Sequence, residues 1–344
     1  MKALVLEEYK KLVYRDYPDP SLRGPDDVIV RVRASAICGS DVHGLDGSTG
    51  RRIPPLVMGH EASGEIVETG SAVRSYKAGD RVTFDSTEFC GSCFHCRRGE
   101  VNLCDNRRVL GVSCGDYRRD GTFAEYVVIP ERILYRMPEA LDFVAASIAE
   151  PAAVAAHAAA ITPIALGDSL AVVGAGLIGL LLIQILRANS SSPIAAFDTD
   201  PRRRAAALAV GADIALDPAD PASKQAVLDL SSGRGFDRVF EAVGAEAPIA
   251  TAISSVRKGG TVTLIGNVNP TVSIPLQAVV TRQISLLGSC AMAGEYPLVL
   301  DLLSREKIKA ESIVSAVAPL SDGASWFVRL YAREPGLLKV VLQP

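Results

Sequence analysis

Apolar and polar residues follow two different rhythms along this chain. Over positions 1–150, short β-type runs are separated by Gly, Pro and Asp. The run Asp27-Val28-Ile29-Val30-Arg31-Val32-Arg33 alternates as a half-buried antiparallel strand does, and 63–68 and 125–129 read as further strands. Near Ala145 the composition shifts to an alanine-rich stretch, 151–160, which predicts a helix crossing between domains. The rhythm then becomes strand–helix alternation. Strands are expected at 169–173, 194–197, 238–241, 261–265 and 284–287, a buried helix at 177–189, and a helix at 201–210 with Pro201 in its first turn. This alternation predicts an α/β fold built on a doubly wound parallel sheet of about six strands. Past Gly288 the pattern is mixed, with a helix at 296–304 and a final strand at 338–342. That tail is too short for a domain of its own and is expected to rejoin the first one.

Length and composition narrow the field. A chain of 344 residues is long for one core, so two domains are expected. The formal net charge of -3 gives no electrostatic basis for binding nucleic acid or an anionic membrane. The longest apolar segment, 171–186, is interrupted by three glycines and a glutamine and falls short of a membrane span. Met1 to Leu6 is too brief for a signal peptide, and Glu7 and Glu8 follow at once. Seven cysteines, four of them clustered, suit a reducing compartment better than a disulfide framework. A cytoplasmic location is expected.

The cluster is Cys90, Cys93, Cys96 and Cys104, at C-x2-C-x2-C-x7-C. Four thiolates can close tetrahedrally on one Zn2+ and leave no position for substrate, which is the pattern of a structural site. An iron–sulfur cluster is the rival reading, though the run lacks the C-x3-C-P ending. Further on, Gly174-Ala175-Gly176-Leu177-Ile178-Gly179 supplies G-x-G-x-x-G between a predicted strand and a predicted helix. There Gly174 permits the turn, Gly176 admits the pyrophosphate, and Gly179 allows close packing. The phosphates then meet the helix N-terminus at Leu177 and Ile178. Asp198 lies nineteen positions after Gly179, placed to accept from the adenosine ribose hydroxyls and to repel a 2′-phosphate. Arg202, Arg203 and Arg204 follow, and Arg203 is taken as the cofactor-facing one. The balance favours NAD over NADP.

Ligand types for an open metal site come from Cys38-Gly39-Ser40-Asp41-Val42-His43, Gly59-His60-Glu61 and Ala149-Glu150-Pro151. A catalytic zinc typically takes three protein ligands and one exchangeable position. One thiolate, one imidazole and one carboxylate would leave a near-neutral complex able to lower the pKa of a bound alcohol.

Taken together these motifs make the chain resemble the zinc-dependent medium-chain dehydrogenase/reductases, in their polyol dehydrogenase branch. Gly59-His60-Glu61-x2-Gly64-x5-Gly70-x2-Val73 matches that superfamily's zinc signature, and the cysteine lobe, glycine motif and Asp198 follow in order. The resemblance implies a GroES-like, mostly-β catalytic domain at 1–154 carrying a zinc lobe at 88–106. It further implies a Rossmann domain at 155–289 and a segment 290–344 that completes the catalytic domain. It makes Cys38 and His60 ligands of a catalytic zinc, the second of two zinc ions per chain. Glu150 stands where simple alcohol dehydrogenases have a cysteine, as in polyol, galactitol-phosphate and threonine dehydrogenases. Glu61 is the rival third ligand, or a catalytic group that approaches zinc at some stages of turnover. Ser40 matches the hydroxyl that takes the alcohol proton, and His43 the end of a relay through the nicotinamide ribose. A homodimer or homotetramer is implied as well.

The reaction implied is hydride transfer from a secondary alcohol to NAD. Mammalian-type sorbitol dehydrogenases carry Arg and Tyr after the sixth strand, where this chain has Gly288-Ser289-Cys290-Ala291-Met292. The substrate therefore reads as a small molecule of polyol, sugar-alcohol or polyol-phosphate type. Arg51 and Arg52 read as surface charges, with binding of a phosphorylated substrate as the alternative. Threonine-type amino-alcohol oxidation and a non-catalytic NAD-binding protein on the same fold are the competing functions.

Overall fold

The computed structural model of the protein describes residues 1–189 and 192–344, and these divide into two compact units. One comprises Met1–Glu150 with Tyr296–Pro344, the other Pro151–Glu295.

The first unit is built on a seven-stranded sheet whose centre is the long strand Asp27–Ala36. That strand pairs antiparallel with Glu61–Thr69, with Tyr126–Pro130 and with Lys339–Gln343. The tail therefore enters the middle of the sheet. Its helix Tyr296–Ser304 packs through Tyr296, whose ring stacks on Tyr135 at 4.5 Å. Leu4, Leu6, Leu56, Phe123, Phe327, Val340 and Leu342 form one apolar core drawn from both ends of the chain. Burying each such side chain contributes about 1.5–3 kcal/mol, so the tail is integral to this unit.

The second unit is a six-stranded, all-parallel sheet in the order Ile214–Leu216, Ile194–Phe197, Leu170–Val173, Phe236–Glu241, Val256–Leu264, Ser285–Gly288. The chain steps outward from Leu170–Val173 in one direction, then returns and steps outward in the other. That reversal is the doubly wound switch point at which such sheets bind ligands. The helix Leu177–Asn189 is buried along most of its length, as its nearly unbroken apolar sequence requires. The strand Ile214–Leu216 supplies the sixth member, and helices Ala222–Leu230 and Glu246–Ser255 fill crossovers that the apolar pattern did not mark. Among the described residues no helix is long and apolar enough to cross a membrane.

Candidate functional site

Sheet register brings distant residues together. Ala36 pairs with Glu61 on one side and with Val341 on the other. Cys38 lies two residues beyond Ala36, His60 immediately precedes Glu61, and Lys339 opens the strand that contains Val341. As a result the Cys38 thiol, the His60 ring and the Glu61 carboxylate have donor atoms within 4.8 Å of one another. Cys38 also caps the short helix Gly39–Gly44, accepting from Ser40 N at 3.4 Å and from the Ser40 hydroxyl at 3.3 Å. His43, three positions on from Ser40, lies on the same face of that turn and is exposed.

The buried charges around this cluster are matched one by one. Lys339 Nζ donates to both Glu61 oxygens, at 2.9 and 2.6 Å, and to the Ile37 carbonyl at 3.0 Å. Burial disfavours the Lys339 charge, but Glu61, Cys38 and Glu150 together overcome it and raise the ammonium pKa. Asp41 is fully buried, with Oδ1 held by Arg52 Nη2 at 2.9 Å and Oδ2 facing His60 Nδ1 at 3.5 Å. Burial raises the Asp41 pKa, yet His60 and Arg52 prevail and hold the carboxyl below its usual range.

Glu150, in the first turn of the helix Ala149–Ile161, lies outside the 4.8 Å cluster. Its carboxylate accepts from the Ser86 hydroxyl at 2.8 Å. Burial pushes Glu150 up to about 7, with His60 opposing the rise and Glu61 adding to it. It makes no ion pair among the described residues.

These groups fit a zinc ion. Thiolate, imidazole and carboxylate are its preferred donors. Among the described residues the His60 Nδ1 and Asp41 Oδ2 are buried without a hydrogen-bond partner and face each other at 3.5 Å, the arrangement in which a carboxylate orients a metal-binding ring. Burial works against a proton on His60, but Asp41 and Cys38 overcome it and lift its pKa well above the imidazole value. The cluster favours positive charge at its centre.

The four cysteines of the lobe also converge, with sulfurs within 4.8 Å of one another. Backbone N–H groups of Cys90, Cys93, Cys96 and Asn106 donate to sulfurs of the set at 3.3–3.5 Å. N–H bonds from Ser92 and Cys93 bring the Cys90 thiol down to about 5, whereas burial pushes Cys96 up to about 12. Four sulfurs gathered this closely match a closed, all-thiolate metal site.

In the second unit the glycine turn has the predicted form. Gly174 has φ +94°, and a Cβ on Gly179 would lie 1.9 Å from the Gly174 carbonyl oxygen, so no side chain is tolerated there. At Gly176 a Cβ would meet nothing within 4 Å, the open side a pyrophosphate requires. Leu177 and Ile178 open the helix Leu177–Asn189. Asp198 braces the turn by accepting from Ala175 N and Asp200 N, each at 2.9 Å. Arg202 is paired with Asp200 and Arg204 with Asp217, while Arg203 reaches to 3.8 Å of the Asp198 carboxylate.

Three partners escaped the sequence. Arg52 is not a surface charge, because its guanidinium is buried against Asp41 and Ser40. Arg51 beside it is exposed. Lys339 had one visible signal, a lone charge inside the apolar run Leu337-Leu338-Lys339-Val340-Val341-Leu342. Ser86, which holds Glu150, had none.

Comparison with known proteins agrees with this geometry. The family model for the alcohol dehydrogenase GroES-like domain matches residues 24–139, and that for zinc-binding dehydrogenases matches 178–305. A D-xylulose reductase A of Aspergillus oryzae is 34% identical, covering 94% of this chain and 92% of its own. A sorbitol dehydrogenase of Halalkalibacterium halodurans is 33% identical, over 100% of this chain and 99% of its own. Among solved structures, a chain assigned as a zinc-binding dehydrogenase, from Sinorhizobium meliloti 1021 and bound to NADP, superposes with a TM-score of 0.87. It is 32% identical and covers 100% of this chain and 99% of its own. With its GroES-like and Rossmann units, its thiolate–imidazole–carboxylate cluster and its glycine turn, the chain belongs to the zinc-dependent medium-chain dehydrogenase/reductases, in their polyol dehydrogenase branch.

Proposed function

We propose that the protein oxidises a secondary alcohol of a polyol, sugar alcohol or polyol phosphate to the ketone. One hydride passes to NAD and one proton to solvent, so alcohol and NAD+ give ketone, NADH and H+. The charge balance at Glu150 carries this reading. Glu61 has Lys339 as its ion-pair partner and Asp41 has Arg52, but among the described residues the buried Glu150 makes no ion pair and accepts from the Ser86 hydroxyl instead. Cys38, His60 and Glu150 would hold a divalent metal that balances this carboxylate, with Glu61 as the rival donor. Zinc bound there contributes Lewis acidity that favours the deprotonated alcohol.

The remaining work belongs to side chains. Ser40, on the helix turn that Cys38 caps, takes the alcohol proton. His43, exposed on the same face, passes it outward. Asp41 keeps the His60 ring in one orientation. The cysteine lobe holds a second zinc and takes no part in chemistry. Gly174 to Gly179 receive the dinucleotide phosphates, and Asp198 favours NAD by meeting the ribose hydroxyls, with Arg203 at the rim.

Assembly as a homodimer or homotetramer is supported by the strand Ser285–Gly288, which ends its sheet with one side unpaired. A cytoplasmic location fits seven cysteines of which none is paired in a disulfide among the described residues. The net charge of -3 argues against a nucleic-acid partner.

The test is a panel of polyols, polyol phosphates and threonine, followed by NADH absorbance, together with metal analysis. Two zinc ions per chain and turnover of a polyol or its phosphate are expected. Turnover of threonine alone would overturn the substrate class. Dinucleotide binding without turnover of any alcohol would leave a non-catalytic NAD-binding protein.

A further inference from the structure

Arg52 has no part in the steps above, yet it touches two of the groups that perform them. Its side chain is 5% exposed. Nε and Nη2 donate to Asp41 Oδ1 at 3.3 and 2.9 Å, and Nη1 donates to the Arg51 carbonyl at 3.1 Å. Nη2 also donates to the Ser40 hydroxyl oxygen at 3.3 Å. The far oxygen of Asp41 faces the His60 ring at 3.5 Å. One planar group thus spans from Ser40 to the carboxylate behind His60.

We propose that Arg52 is a positioning residue that, anchored on Asp41, fixes the Ser40 hydroxyl in place. The inference rests on the role of Ser40 in the proposed reaction. A hydroxyl oxygen that accepts from a guanidinium must turn its own hydrogen elsewhere, and here that hydrogen is directed to the Cys38 thiol at 3.3 Å. Ser40 is otherwise exposed, and without Arg52 only the contact to Cys38 restrains its exchange among staggered rotamers. The fork geometry explains why arginine occupies the position. Two arms serve the carboxylate and the hydroxyl together, which the point charge of a lysine does not reproduce.

The backbone makes room for this arrangement. At Gly44, the last residue of the helix that carries Ser40, a Cβ would lie 2.4 Å from Arg52 Cγ and 3.3 Å from its Cβ. Gly44→Ala therefore displaces the Arg52 stem while deleting no polar group, a second and independent handle on the same contact.

The decisive experiment is a double-mutant cycle. Arg52→Lys is made in the native chain and in a Ser40→Ala background, and kcat and KM for polyol oxidation are measured. A misplaced proton acceptor predicts about a tenfold or larger fall in kcat in the native background, with KM moving less. In the Ser40→Ala background the same change should cost less than about twofold, because its effect has already been removed. Gly44→Ala should lower kcat in the same direction and lose its effect in the same background. It decides the matter if Arg52→Lys fails to fold. Cobalt-substituted protein gives a readout that needs no turnover: the thiolate-to-cobalt absorption should shift with Arg52→Lys in the native chain and stay fixed in the Ser40→Ala chain. Equal losses in both backgrounds, or an unmoved cobalt band, overturn the proposal. If the native chain oxidises no alcohol, the function reading fails and the cobalt comparison alone judges Arg52.

Discussion

The cysteine lobe and the Cys38 cluster both gather donors suited to zinc, and they do so by opposite means. In the lobe every donor comes from the stretch 90–104, and the N–H groups that support the sulfurs come from the same stretch and the two residues after it. At Cys38 the donors arrive from separate segments, and the cation that neutralises Glu61 is 278 positions away in sequence. The lobe is held by local chain, whereas the Cys38 cluster is held by sheet register. A site whose metal must exchange a ligand during turnover cannot be closed by its own ligands, so the surrounding fold has to hold it open. Damage to the two should therefore leave opposite signatures, one in stability and one in rate.

The largest expected effect falls on the support of the reactive cluster. Lys339→Met leaves Glu61 buried without its cation and should cost about 3–5 kcal/mol in urea unfolding. Adding Glu61→Gln should recover a large part of that loss, and purely additive losses would break the idea that register-held charges define this site. Next in size, Cys38→Ser should lower kcat/KM by at least about a hundredfold, roughly 2.7 kcal/mol of transition-state stabilisation. Its melting temperature should stay near that of the native chain, and metal analysis should fall from two zinc ions to one. Full activity in that variant would remove the catalytic-metal reading. Cys93→Ser should do the reverse, losing about 2 kcal/mol of stability by thermal melting while activity per folded chain stays within about twofold. The smallest effect is one of order. A mild chelator should take the zinc at Cys38 first, abolishing turnover while the chain stays folded, and reach the lobe only as the chain unfolds. Simultaneous loss of both ions would erase the distinction.

The same contrast governs what could be read from the sequence. The lobe was legible because its chemistry is written in consecutive spacing. So was the helix Leu177–Asn189, since a glycine turn fixes its start and an apolar run its length. The strand Ile214–Leu216 was not, because three half-buried residues at a sheet edge carry no pattern of their own. Arg52 read as a surface charge because burial of a guanidinium depends on partners, here Asp41 and Ser40, whose nearness the fold decides. Cys38, His60 and Glu61 were recognisable as ligand types, but only the pairing of Ala36 with Glu61 shows how they meet.

The strand Lys339–Gln343 also sets an order of events in the life of each molecule. Residues 90–104 can gather their four sulfurs as soon as that stretch exists. Glu61 cannot be buried beside its own cation until the whole of Pro151–Glu295, the nucleotide-binding unit, has been synthesised. Domains fold largely in the order they are made, so the early catalytic segment waits with an unpaired carboxylate for a strand that comes after its partner unit. A growing chain thus completes the machinery that holds its cofactor before it completes the site that would use it.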